Sequence, residues 1–127
     1  MNALAMLATA VSLASGASAP VGVWQNPKHT IAVRTALCGP SLCGTIVAAA
    51  PIAVADARES GVNQLIGTSL LRDYRKNGPD SWRGIVFVPD MGRTFDSRLT
   101  VLSPNEVRIS GCILRGLLCK SQIWTRI

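Results

Sequence analysis

The chain has 127 residues, 48% apolar and only 5% aromatic, with 13 Lys and Arg against seven acids for a net charge of +6. A length of this order holds one domain with its own core and excludes two. Six thinly spread aromatics also argue against a base-stacking platform, so nucleic acid is an unlikely partner.

The opening stretch, "MNALAMLATAVSLASGASAP", runs 19 residues to Ala19 without a charge and closes on Ala17-Ser18-Ala19. That pattern predicts a secretory signal peptide, a helix over residues 1–19, followed by a domain over residues 20–127. Pro20 hinders cleavage directly before it, which puts the mature start near Ser18 or Pro20. The apolar run is shorter than the roughly 18 to 20 residues a span requires, and no later segment rivals it, so no transmembrane span is expected in the mature chain. The protein is expected to be periplasmic or secreted. All the cations follow the signal, ten of them Arg, in no run longer than two. Such a diffuse positive field suits an anionic envelope surface of lipid or polysaccharide.

Beyond Pro20 the text changes to short β-favouring segments divided by turn residues. They are "GVWQ" (22–25), "HTIAVRTA" (29–36), "LCGTIVAA" (42–49), "LIGTSLLRDY" (65–74), "WRGIVFV" (82–88), "RTFDSRLTVL" (93–102), "EVRISGCI" (106–113) and "SQIWTRI" (121–127). About eight strands at close intervals predict an all-β antiparallel barrel or sandwich, and closing the sheet removes its exposed edges. The period is clearest late in the chain. Phe95, Leu99 and Val101 alternate with Thr94, Asp96, Arg98 and Thr100, while Val107, Ile109 and Ile113 oppose Glu106, Arg108 and Ser110. "NPKH", "KNGPD", "PDMG" and "SPNE" read as turns. Residues 50–63 have no clean period and fit a loop or one short helix, and residues 65–76 fit a helix nearly as well as a strand.

Four cysteines in an exported chain of about 108 residues point to two disulfides. Cys38 and Cys43 are separated by four residues, Cys112 and Cys119 by six. Zinc sites favour pairs two to four residues apart and redox motifs favour Cys-x-x-Cys. Of the three pairings available, the two local ones are favoured because "GPSL" and "ILRGLL" can each turn the chain back. A four-cysteine zinc site is the alternative. No catalytic residue, metal or cofactor is expected. The single histidine, His29, sits in a turn, the acids read as solvated or turn residues, and the common hydrolase, zincin and phosphate-loop motifs are absent.

In order along the chain, "PVGVW", "CGPSLCGTIV", "IGTSLL", "SWRGIVFVPDMGRTF" and "SGCILRGLLCKSQIWTRI" resemble the domain of unknown function 2147, a family of small exported bacterial proteins. The resemblance implies a lipocalin-like β-barrel and a pocket for a small apolar ligand. It departs from the family pattern at "RESGVNQLIG", where no Pro follows Asn63. The Gly22-x-Trp24 pair resembles the lipocalin signature, which implies that Trp24 plugs one end of the barrel and that Arg126 lies across it. With a small apolar or amphipathic molecule as partner, the cavity-lining candidates are Ile31, Val33, Ile46, Phe87, Phe95, Leu99, Val101, Val107 and Ile109. In a narrower barrel they would be plain core, and the protein would act through its basic surface.

Overall fold

The structure, a computed structural model, describes residues 19–113 and 118–127; the signal peptide expected over residues 1–19 lies outside that range except for Ala19. Eight strands and one helix follow: β1 (Gly22–Gln25), β2 (Ile31–Cys38), β3 (Ser41–Ala49), α1 (Pro51–Glu59), β4 (Ser69–Lys76), β5 (Ser81–Val88), β6 (Arg93–Ser103), β7 (Glu106–Ile113) and β8 (Leu118–Arg126). Each strand pairs antiparallel with the next, and β8 returns to β1, so the sheet closes into a barrel.

Local chemistry sets the corners. In the β1–β2 turn the Asn26 carboxamide oxygen accepts from the backbone N–H groups of Thr30 and Ile31 at 2.8 and 3.0 Å, and its amide donates to the Thr30 hydroxyl at 2.7 Å. Gly39 takes φ 69° between the paired residues Cys38 and Ser41, so Gly39-Pro40 alone makes the β2–β3 hairpin turn. Ser41 and Leu42, expected in that turn, belong to β3 instead.

The ambiguous middle of the chain resolves into α1 and β4. Pro51 begins α1 at a position where a missing N–H costs nothing, and no side chain caps it. Ala57 is buried and Ala53 and Val54 pack against the core, so the helix has only a narrow apolar side. It runs from the end of β3 towards the β5–β6 turn, where the Ser60 hydroxyl donates to the Asp90 carbonyl. β4 is a strand interrupted at Asp73, which has φ 52°, and the β4–β5 register shifts there. This bulge resets the two-residue period so that Leu71 and Tyr74 are both buried, while Leu70, also buried, lies where the β3–β4 register shifts between Leu71 and Ser69.

The interior is filled by large side chains: Trp24, Tyr74, Leu42, Ile46, Leu71 and Leu99 are essentially inaccessible, and Trp82 and Trp124 are buried beside them. At roughly 1.5 to 3 kcal/mol per fully buried large apolar side chain, this cluster dominates the stability of the fold. The two disulfides pair Cys38 with Cys43 and Cys112 with Cys119, leaving no thiolate pair for zinc. Cys112 and Cys119 face each other directly across β7 and β8.

Candidate functional site

One end of the barrel is sealed around Trp24. Its indole N–H donates to the Thr35 hydroxyl at 3.0 Å, and that hydroxyl donates to the Pro20 carbonyl at 2.6 Å, tying the entering chain across the opening. The Arg126 guanidinium lies over the indole, Cζ 4.3 Å from the ring centre. It also donates from Nε to the Pro104 carbonyl at 2.9 Å and from Nη1 to the Val21 carbonyl at 2.8 Å. Gly22 is required beneath it, because a Cβ there would sit 2.1 Å from Arg126 Nη1.

The middle of the barrel holds polar groups in an apolar setting. Tyr74 lies flat against Gly84, whose absent Cβ would come 2.6 Å from the ring. Burial raises the Tyr74 phenol well above its ordinary value, because the phenolate would lose its hydration; the nearby Ser97 hydroxyl opposes the shift. The Tyr74 and Ser97 hydroxyls are both buried without a partner, as is Trp82 Nε1. Unpartnered buried donors of this kind call for a water or a ligand atom.

The register shows where the interior meets solvent. Strand partners share a face, so Gly84, Ser97, Gly111 and Lys120 form one inward row, and Phe95 on β6 opposes Val86 on β5 one step nearer the helix-bearing end. Ile113 and Leu118 continue the inward faces of β7 and β8 at that level. Trp82, Leu99, Ile109 and Gln122 form the next row towards the sealed end. Yet Lys120 and Gln122 are exposed, although they share the face of the buried Trp124. The cause is the shortness of β1. It pairs with β8 only at Trp24–Arg126 and Gln25–Thr125, so among the described residues no strand flanks Leu118–Ile123 on the side away from β7. Among the described residues the barrel is thus shut at the Trp24 end and open beside the first half of β8.

Eight of the nine candidate lining residues face inward. Val33, Ile46, Leu99, Val107 and Ile109 are buried in the core, and Ile31, Phe95 and Val101 pack against it. Phe87 is a correction. Trp82, Gly84 and Val86 set the inward parity of β5, so Phe87 faces out, half-buried beneath Arg72, whose Cζ is 4.9 Å from the ring centre. Ile113 has the inward parity of Val107 but is 39% exposed, because it lies at the open end. Tyr74, Trp82, Ser97, Lys120, Gln122 and Trp124 were not among the candidates. The same alternation that selected Leu99 and Ile109 could have found Ser97, Trp82 and Trp124. Two shallow depressions, of about 400 and 360 Å³, lie open to solvent. The larger crosses the outside of β2–β3 at Arg34, Ala36 and the Cys38–Cys43 disulfide, and the smaller wraps the barrel rim at Phe95, Asp96 and Ile113.

A small antiparallel barrel, plugged at one end by a tryptophan under an arginine, is a lipocalin-like fold. Protein HP1028 from Helicobacter pylori, described as belonging to the lipocalin family, superposes with a TM-score of 0.65 at 16% identity, over 86% of this chain and 83% of its own. The chain belongs to the family described as uncharacterized protein conserved in bacteria (DUF2147), which it matches over residues 22–126. Comparison with curated proteins yields no significant match.

Proposed function

We propose that this protein is an exported lipocalin-like barrel that binds one small amphipathic molecule in the half of its interior that opens beside β8. The observation that carries this reading is the solvent exposure of inward-facing Lys120 and Gln122 next to a half-exposed apolar row. Phe95, Ile113 and Leu118 offer an apolar wall at the opening. One row further along by register stands the exposed Lys120, in line with Ser97, whose hydroxyl, like that of Tyr74, is unpartnered. Such a gradient suits a molecule with an apolar body and an acceptor-rich or anionic head, since all three groups can donate. The filled half around Trp24 restricts the ligand to a small one. The disulfides and the signal-like leader support export.

Native mass spectrometry of the protein purified from a periplasm tests this reading. A retained or exchangeable small molecule is the expected result, and its occupancy should fall in a Ser97→Val or Lys120→Glu variant. A bare mass under gentle conditions, with no uptake of added fatty acid or lysolipid, would overturn it.

A further inference from the structure

The outer face of β4, β5 and β6 carries arginines in register. Arg75 is opposite Arg83, and Arg83 is opposite Arg98, so three exposed arginines form one row across neighbouring strands. Adjacent strands lie about 4.8 Å apart, and like charges directly opposite each other destabilise a sheet. Asp73 engages Arg75 at 3.2 Å. Among the described residues Arg83 and Arg98 have no ion-pair partner. Asp96 shares their face but sits opposite Ile85. Arg72, also opposite Ile85, and Arg108, opposite Thr100, widen the patch. Within the described residues only Arg75 of the row is paired with an acid, so the charge of Arg83 and Arg98 is directed outward, to an anion supplied by something else.

We propose that this face docks the protein on an anionic phospholipid surface. The row lies on an exposed strand wall, outside both solvent-open depressions. A wall of guanidinium groups meets many phosphates at once when they are presented on a plane. Ile85 and Phe87, half-buried on the same face, set apolar side chains among the cations, which suits the boundary between headgroups and acyl chains. A single-stranded nucleic acid would require stacking platforms, and the one aromatic ring on these three strands' outer face lies under Arg72. This surface is separate from the lumen and does not depend on a ligand there.

Co-sedimentation with vesicles tests the proposal. The intact protein should bind phosphatidylcholine vesicles containing phosphatidylglycerol, should ignore pure phosphatidylcholine, and should be released as salt rises. Each arginine near such a surface contributes about fivefold, so Arg83→Gln/Arg98→Gln should weaken partitioning about 25-fold. Arg34→Gln/Arg58→Gln removes the same charge elsewhere and should leave partitioning within about threefold of the parent. A melting temperature no lower than the parent's in both doubles excludes loss of fold as the cause. Absence of binding would overturn the proposal. So would equal weakening by the two doubles, which would mean diffuse charge alone, or release by inorganic phosphate at constant ionic strength, which would mean a free-anion site.

Discussion

Arg126 and Trp24, paired across β8 and β1, also meet through their side chains, with the guanidinium 4.3 Å above the indole ring. The contact joins the last strand to the first where the barrel is sealed, and the same guanidinium holds the Val21 and Pro104 carbonyls. Arg126→Ala should therefore destabilise by about 1 to 2 kcal/mol, combining a cation–π contact with two partly exposed hydrogen bonds. Lysine cannot span both carbonyls while stacking, so Arg126→Lys should recover less than half of the loss. Gly22→Ala should cost about 2 kcal/mol, because its Cβ would occupy the position of Arg126 Nη1. That substitution already displaces Arg126, so the double variant should fall short of the sum by about 1 kcal/mol. Urea denaturation of the four proteins checks the cycle.

Tyr74 is the single tyrosine of the chain, which makes its ionisation directly observable. Burial raises its pKa above the ordinary 10.0, so the folded protein keeps the phenol neutral where the unfolded chain would ionise it. The unfolded state then binds fewer protons, and stability falls as pH rises above about 10. Below that pH the contribution is complete. Phenolate absorbance should appear only together with unfolding, and Tyr74→Phe should remove this part of the alkaline slope. A phenolate signal near pH 10 in the folded protein would contradict the burial.

Much of this architecture was legible in the sequence, and each exception has its own physical cause. β6 and β7 alternate cleanly because one face is wet and the other packed, so Leu99, Val107 and Ile109 announce themselves. β4 does not, because the left-handed Asp73 resets its parity between Leu71 and Tyr74, and no side-chain pattern encodes a bulge. β5 misleads differently. It is apolar on both faces, and only Arg72 lying across Phe87 explains why an outward phenylalanine is tolerated. The inward row through Lys120 needed the β7–β8 register, and the opening beside it needed the length of β1.

Asp73 marks the bulge and links β4 to β3. It accepts a hydrogen bond from the Ser41 hydroxyl at 2.6 Å, which lowers its pKa, with Arg75 adding to the effect against some desolvation. A lowered carboxylate contributes stability above the unfolded pKa, here the ordinary 3.8, and loses it as pH falls through the folded value. Acid unfolding should therefore steepen below about pH 4. Ser41→Ala should flatten that limb more than Arg75→Gln does, because the hydroxyl is the larger cause. Thermal melts between pH 2 and 5, within reach of an ordinary carboxylate titration, check the order.

Gly84 is the room that Tyr74 occupies. A Cβ at this position would meet the ring at 2.6 Å and the Arg72 carbonyl oxygen at 2.8 Å, and the latter is backbone that cannot swing aside. Gly84→Ala should cost about 1 to 3 kcal/mol, within the range for overpacking a tight interior. Gly111→Ala, in the same inward row, meets Val86 and Phe95 only at 3.5 and 3.9 Å and should cost little. Comparing the two by chemical denaturation separates steric exclusion from a general intolerance of side chains in that row.

The two disulfides close loops of similar length, so a chain-entropy argument gives each about 2 kcal/mol and predicts equal effects on global stability. Their local consequences should differ. Cys38–Cys43 spans a hairpin whose strands are both held on their far sides, by β1 and β4. Cys112–Cys119 joins β8 to β7 where no second described strand pairs with β8, so it supplies lateral hold that β1 is too short to give. Cys112→Ser/Cys119→Ser should therefore speed amide exchange through residues 118–123 well beyond the global loss, whereas Cys38→Ser/Cys43→Ser should leave that segment's exchange following the global stability. If the opening beside β8 admits the ligand, the first variant should also load and release it faster. Identical exchange in both variants would show that packing inside the barrel, and not the disulfide, holds β8 in place.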